Sequence, residues 1–136
     1  LISNAVYDIR LAERCNDSRA DSPFTDVPLQ QTIAAWALAP LNVTVFNVTQ
    51  TTYEFEWLPN LPRDCIFRQW NVEVKPSAVL DWIPVPECKF NERFNVEEIL
   101  NCTVVGLQTF TVYDVRVREE CVHPTSDGNY TLLPRE

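Results

Sequence analysis

The chain has 136 residues, 46% hydrophobic and 11% aromatic, with a formal net charge of −8 at neutral pH. That composition fits one globular domain with some surplus and excludes a disordered chain. The acidic balance repels phosphate backbones, so nucleic acid is not an expected partner. The longest strictly apolar stretch, 33–41, has nine residues and contains Pro40, far short of the roughly 20 that cross a bilayer. Residues 1–15 carry charges throughout and hold no signal-peptide core, so any targeting segment is expected upstream or already removed.

The opening segment, Leu1 to Cys15, recurs 106 residues later as Leu107 to Cys121. Leu1, Val6, Tyr7, Asp8, Arg10, Glu13 and Cys15 meet Leu107, Val112, Tyr113, Asp114, Arg116, Glu119 and Cys121. The same spacing continues without a gap to pair Asp21 with Asp127, Thr25 with Thr131 and Pro28 with Pro134, and sets Phe24 opposite Tyr130. Ten identities in thirty positions stand well above the roughly two expected by chance, so the chain contains part of itself twice. One unit is then about 106 residues, the size of a small domain. Residues 1–30 are the tail of one unit. Residues 31–39 connect it to the next, with Trp36 expected between the neighbouring domains, and 40–136 form the second unit.

Within that second unit, apolar and polar residues alternate along several stretches. Val43 and Val45 point opposite to Asn42 and Thr44. Tyr53, Phe55 and Trp57 then share one face against Glu54 and Glu56, and Trp70, Val72 and Val74 alternate with Asn71, Glu73 and Lys75. Last come Tyr113, Val115 and Val117, set against Asp114, Arg116 and Arg118. Each is a strand with one apolar face, the pattern of antiparallel sheets packed face to face. Helical periodicity is weak outside Val96–Leu100, where a single turn is expected. Ten prolines against two glycines mark the loops.

Pro40-Leu-Asn-Val-Thr-Val, Tyr53-Glu-Phe-Glu-Trp57, Trp70-Asn-Val-Glu-Val and Leu107 six residues before Tyr113 together resemble a fibronectin type III domain. The resemblance implies an all-β antiparallel sandwich over 40–134, in tandem repeats of about 106 residues. It assigns Trp57 to the core end of strand B and Trp70 to strand C. Leu107 and Tyr113 take the corner between strands E and F, as Leu1 and Tyr7 do in the first repeat, making 1–30 an F–G hairpin. The chain departs from the family pattern at Thr109, where proline is usual, in the long Pro- and Cys-rich stretch 76–101, and in carrying four cysteines per repeat.

Cys65, Cys88, Cys102 and Cys121 allow three pairings. The resemblance places the B–C loop and the end of strand F at one pole, which implies Cys65–Cys121 and leaves Cys88–Cys102. Cys15, the counterpart of Cys121, is then expected to bond a cysteine outside this segment. Asn-x-Ser/Thr sequons begin at Asn16, Asn42, Asn47, Asn101 and Asn129, against about one expected by chance. With the cysteines they point to a secreted or cell-surface glycoprotein carrying N-linked glycans.

Candidates for catalysis are scarce. Gly106 and Gly128 are the only glycines, and His123 is the only histidine, which removes phosphate loops and most nucleophile–histidine schemes. No metal site or other cofactor is expected. Glu97/Glu98 and Glu119/Glu120 are neighbours that point to opposite faces of a strand. The three aspartates of 17–26 lack EF-hand spacing. The expected role is an extracellular structural repeat of a filament, stalk or adhesive fibre, assembling with neighbouring repeats or copies of itself by tandem or strand-complemented sandwiches. The alternative is a receptor or adhesion module that binds a protein ligand, with Trp82 in the contact patch at 79–86 or covering the core beside the second disulfide. An accessory domain of a secreted enzyme is the third reading.

Overall fold

Period-two alternation becomes β-strand along the chain in a computed structural model that describes residues 1–91 and 98–133. The turn expected near Val96, the carboxylate of Glu97 and Pro134 lie outside those residues. Contacts divide the chain into two units, Leu1–Ala35 and Trp36–Glu136.

The first unit is a hairpin of β1 (Val6–Leu11) and β2 (Thr25–Gln31), joined through a 3-10 turn at Ser18–Ala20. Hydrogen bonding carries the hairpin past the end of β2: Thr32 N–H donates to Ala5 O and Asn4 N–H to Ile33 O. Its apolar side chains stand open, with Leu1 101%, Ile9 47%, Leu11 70% and Leu29 67% exposed.

The second unit is a sandwich of two antiparallel sheets. One has the order β3 (Leu41–Val48), β4 (Tyr53–Leu58), β7 (Leu100–Val104). The other has the order β6 (Ile83–Pro84), β5 (Phe67–Pro76), β8 (Tyr113–Cys121), β9 (Thr131–Leu132). The inward residues of all the long strands form one core: Val43, Phe55 and Trp57 from the first sheet, Trp70, Val72, Val115 and Val117 from the second. Trp57 is its centre, stacked 5.5 Å from Phe55 and edge-on to Trp70 at 5.8 Å, with Phe90 at 6.3 Å.

Trp57 is wholly buried, so truncation leaves a cavity among three rings. Trp57→Ala is expected to lower the unfolding free energy by about 3–5 kcal/mol. Guanidinium denaturation of the non-reduced chain measures this; a loss within error of zero would contradict the packing described.

Candidate functional site

At one pole the chain turns a tight corner before β8. Gly106 and Phe110 both lie at positive φ, +74° and +54°; glycine reaches that region without strain, whereas Phe110 is held there by its surroundings. Between them Leu107 is buried in the core, its N–H donating to Thr51 O. The Tyr113 hydroxyl accepts from Gln108 N–H at 3.0 Å, and its ring meets Tyr53 edge-on at 6.2 Å. Val48, Tyr53, Phe110 and Val112 line an open groove beside this corner.

At the opposite pole Cys65 is joined to Cys121 across 56 residues. The Cys121 N–H donates to Asp127 Oδ1 at 2.8 Å, which fixes the 3-10 turn Pro124–Ser126 over the bridge. Ala37, fully buried, packs against both cysteines and donates its N–H to Ser126 O. Gly128 closes this notch: a Cβ there would meet Ala37 O at 3.3 Å. Cys88 is joined to Cys102 inside the core, 14 residues apart. By loop entropy the longer bridge contributes about 4 kcal/mol and the shorter about 3 kcal/mol.

The outer face of the four-stranded sheet carries a ladder of stacked cations and rings that sequence reasoning missed. Arg116 lies over Trp82 at 4.1 Å and over Tyr130 at 3.9 Å, and Arg118 lies over Tyr130 at 4.6 Å. Glu73 pairs with Arg116, and Asp127 with Arg118. Trp82 therefore does not cover the core beside the second disulfide; it packs on the polar side of the sheet, because Arg116 offers it a flat cation there. The one available signal was the alternation of Arg116 and Arg118 on the outward side of β8. Burial pushes the Tyr130 phenol above its usual range, with Arg118 opposing and Glu73 adding to the rise.

The corner and the pole both recur in the first unit, at the same offset of 106. Tyr7 OH accepts from Ile2 N–H, as Tyr113 OH does from Gln108. Asn4 sits at φ +50° where Phe110 sits at +54°. Cys15 N–H donates to Asp21 Oδ1, as Cys121 does to Asp127. Strand register agrees as well: Arg10 faces Asp26 and Leu11 faces Thr25, just as Arg116 faces Leu132 and Val117 faces Thr131. Arg10 stacks on Phe24 at 4.1 Å, the counterpart of Arg116 on Tyr130. Cys15 itself is exposed and unbridged in this segment.

All five sequon asparagines are exposed. Two of them, Asn47 and Asn101, lie on the outer side of the three-stranded sheet. Asn101 faces Glu56, which faces Thr44; Asn47 faces Glu54, which faces Thr103. Asn42 lies at φ +49° where the β3–β4 register shifts, a conformation asparagine tolerates better than most residues. The three aspartates of 17–26 are engaged locally: Asp17 with Arg19, Asp21 with Cys15 N–H, Asp26 opposite Arg10. Exposed His123 precedes the pole turn, and Glu119 and Glu120 point to opposite sides of β8, Glu119 buried. Among the described residues no three His, Cys, Asp or Glu side chains cluster as metal ligands, and no helix is long and apolar enough to cross a membrane.

Two outcomes follow from this geometry. Tyr113→Phe removes the acceptor for Gln108 N–H and is expected to cost about 1 kcal/mol, read by denaturation; an unchanged midpoint would argue against the corner bond. Burial holds the Tyr130 phenol above the ordinary tyrosine range. The native state thus keeps its proton longer than the unfolded chain, so this contribution is intact below the unfolded value and is lost as pH rises through the folded one. Ultraviolet titration of phenolate should show one tyrosine ionising late.

No protein-family profile matches the sequence, and no curated protein matches it. Solved structures do match. Titin domains A168–A170 align with 84% of this chain at 16% identity and a TM-score of 0.58, and the chain spans 35% of that structure's length. Titin module A71 from human cardiac muscle aligns with 74% of this chain and 90% of its own length, at 17% identity and a TM-score of 0.57. Domains d3–d4 of the rat CD45 extracellular region align with 100% of this chain and 65% of theirs, at 15% identity and a TM-score of 0.51. The chain has the antiparallel β-sandwich fold of immunoglobulin and fibronectin type III modules.

Proposed function

We propose that the chain is an extracellular structural repeat of a glycosylated surface filament, stalk or adhesive fibre built from tandem β-sandwiches. The observation that carries this reading is the recurrence of one hairpin at a 106-residue offset with the same strand register and the same hydrogen bonds at its corner and its pole. A module that repeats in sequence and in geometry suits an extended array, in which each sandwich contacts its neighbours along the chain. Titin and the CD45 extracellular region supply modular proteins of this fold. Two disulfides in a small sandwich suit an oxidising compartment.

Sequon placement supports the same role. Glycans on Asn47 and Asn101 would cover the outer side of the three-stranded sheet and, with one on Asn42, flank its edge strands β3 and β7, protecting them from pairing with other chains. Assembly would then run through the poles, or through strands supplied by a neighbour. A second reading, a ligand-binding ectodomain module, draws on the exposed stretch Val79, Leu80 and Ile83 beside Trp82. No catalytic role is proposed.

Electron microscopy of the native protein separates the two. Regular rods or polymers are expected; dispersed monomers that bind one soluble protein would favour the receptor reading. Peptide-N-glycosidase digestion should remove mass from the peptides bearing Asn47 and Asn101, and unmodified asparagine at both positions in secreted material would remove the glycan-coat argument.

A further inference from the structure

The first unit presents apolar side chains at the positions equivalent to the inward ones of β8 and its corner, yet in the opposite environment. Ile9 is 47% exposed where Val115 is 2%; Leu11 is 70% exposed where Val117 is 0%; Leu1 is 101% exposed where Leu107 is 9%. The counterpart side chains are buried by the strands of the first sheet and by β5. β5 also runs antiparallel along β8 from Phe67↔Cys121 to Pro76↔Tyr113, whereas among the described residues β1 pairs on one side only, with β2. A lone hairpin with an apolar face is marginal in water. Its face and its open edge call for a single kind of cover.

We infer that Leu1–Ala35 docks a preceding sandwich body of the same polypeptide, which lays a strand like β5 along the open edge of β1 and bonds Cys15 through a loop cysteine placed as Cys65 is. The hairpin supplies strands, corner and cysteine, and the preceding body supplies the facing sheet. This inference rests on the tandem reading and gives that array a covalent clamp within each repeat. A second copy of the chain is a poor occupant. Its own sandwich already holds β8 and β9, and the Cys65–Cys121 bridge would have to break before another hairpin could enter.

The bond forms between two thiols. Cys15 Sγ and the loop cysteine Sγ join with loss of two protons and two electrons, taken by a thiol–disulfide oxidoreductase whose own disulfide is reduced to a dithiol. Asp21 and the turn Ser18–Ala20 already hold Cys15 as Asp127 and Pro124–Ser126 hold Cys121, with Cys15 Sγ 3.2 Å from Ala20 O and Cys121 Sγ 3.1 Å from Ser126 O. The hairpin side of the bridge is thus shaped before its partner arrives.

The test is alkylation followed by non-reducing peptide mapping, on the full-length secreted protein and on residues 1–136 alone. In the full-length protein Cys15 should resist alkylation and map to a cysteine upstream of Leu1. In the 136-residue chain it should alkylate, and the β1 amides should exchange hydrogen at least about tenfold faster than in the full-length protein. Alkylation of Cys15 in a full-length protein that does carry an upstream sandwich would overturn the inference and leave the tandem reading standing. Absence of any upstream sandwich would overturn both. A Cys15–Cys15 bridge, or one from Cys15 to Cys65 of another copy, would replace the preceding body with strand exchange between chains.

Discussion

The register between β5 and β8 is the constraint on which the sandwich depends. Val72 faces Val117 and Val74 faces Val115, so all four enter the core together. Side chains alternate along a strand, and a slip of one residue would turn every one of them outward. The same register puts Glu73 opposite Arg116 on the outer side and brings Phe67 opposite Cys121, within reach of the loop that carries Cys65. Core, ladder and pole bridge are three results of one pairing.

Much of this was legible from the residue pattern, because burial on one side of a strand writes a period of two into the sequence. Tyr53, Phe55 and Trp57 announced β4, and Trp70, Val72 and Val74 announced β5. The repeat offset was legible for a different reason: Tyr7 and Tyr113 each close a corner that fixes Leu, Tyr and Cys at set distances. Other features were hidden. β6 and β9 are two residues each, too short to alternate. Trp82 reaches Arg116 across 34 positions, and no local pattern connects a tryptophan in a loop to the outward side of a distant strand. Ala37 in the notch against Gly128 was equally invisible, since a small residue beside a small residue carries no signal in one dimension. The connector drawn at 31–39 illustrates the limit of composition: Gln31 closes β2, while Ala37 belongs to the pole of the following sandwich.

The two outer faces of the sandwich are finished by different physics. On the three-stranded sheet, Glu54 and Glu56 run between strands bearing asparagine and threonine, a hydrated surface suited to sugar. On the four-stranded sheet, charge is consumed internally, with Lys75 on Asp114, Glu73 on Arg116 and rings laid over the guanidinium groups. Arg116 and Arg118 are about one-quarter exposed, so these contacts are screened less than ordinary surface pairs. One face presents carboxylates, amides and hydroxyls to solvent, and the other pairs most of its charge within the sheet.

The Cys65–Cys121 bridge has a mechanical consequence. Stretching this sandwich until its strands part would release only the polypeptide outside the bridge, because the 56 residues it spans are short-circuited. At about 3.4 Å per residue, roughly 190 Å of contour is withheld. A pull on this sandwich would therefore lengthen it only through the residues on either side of the bridge, after which the covalent crossbar would carry the load.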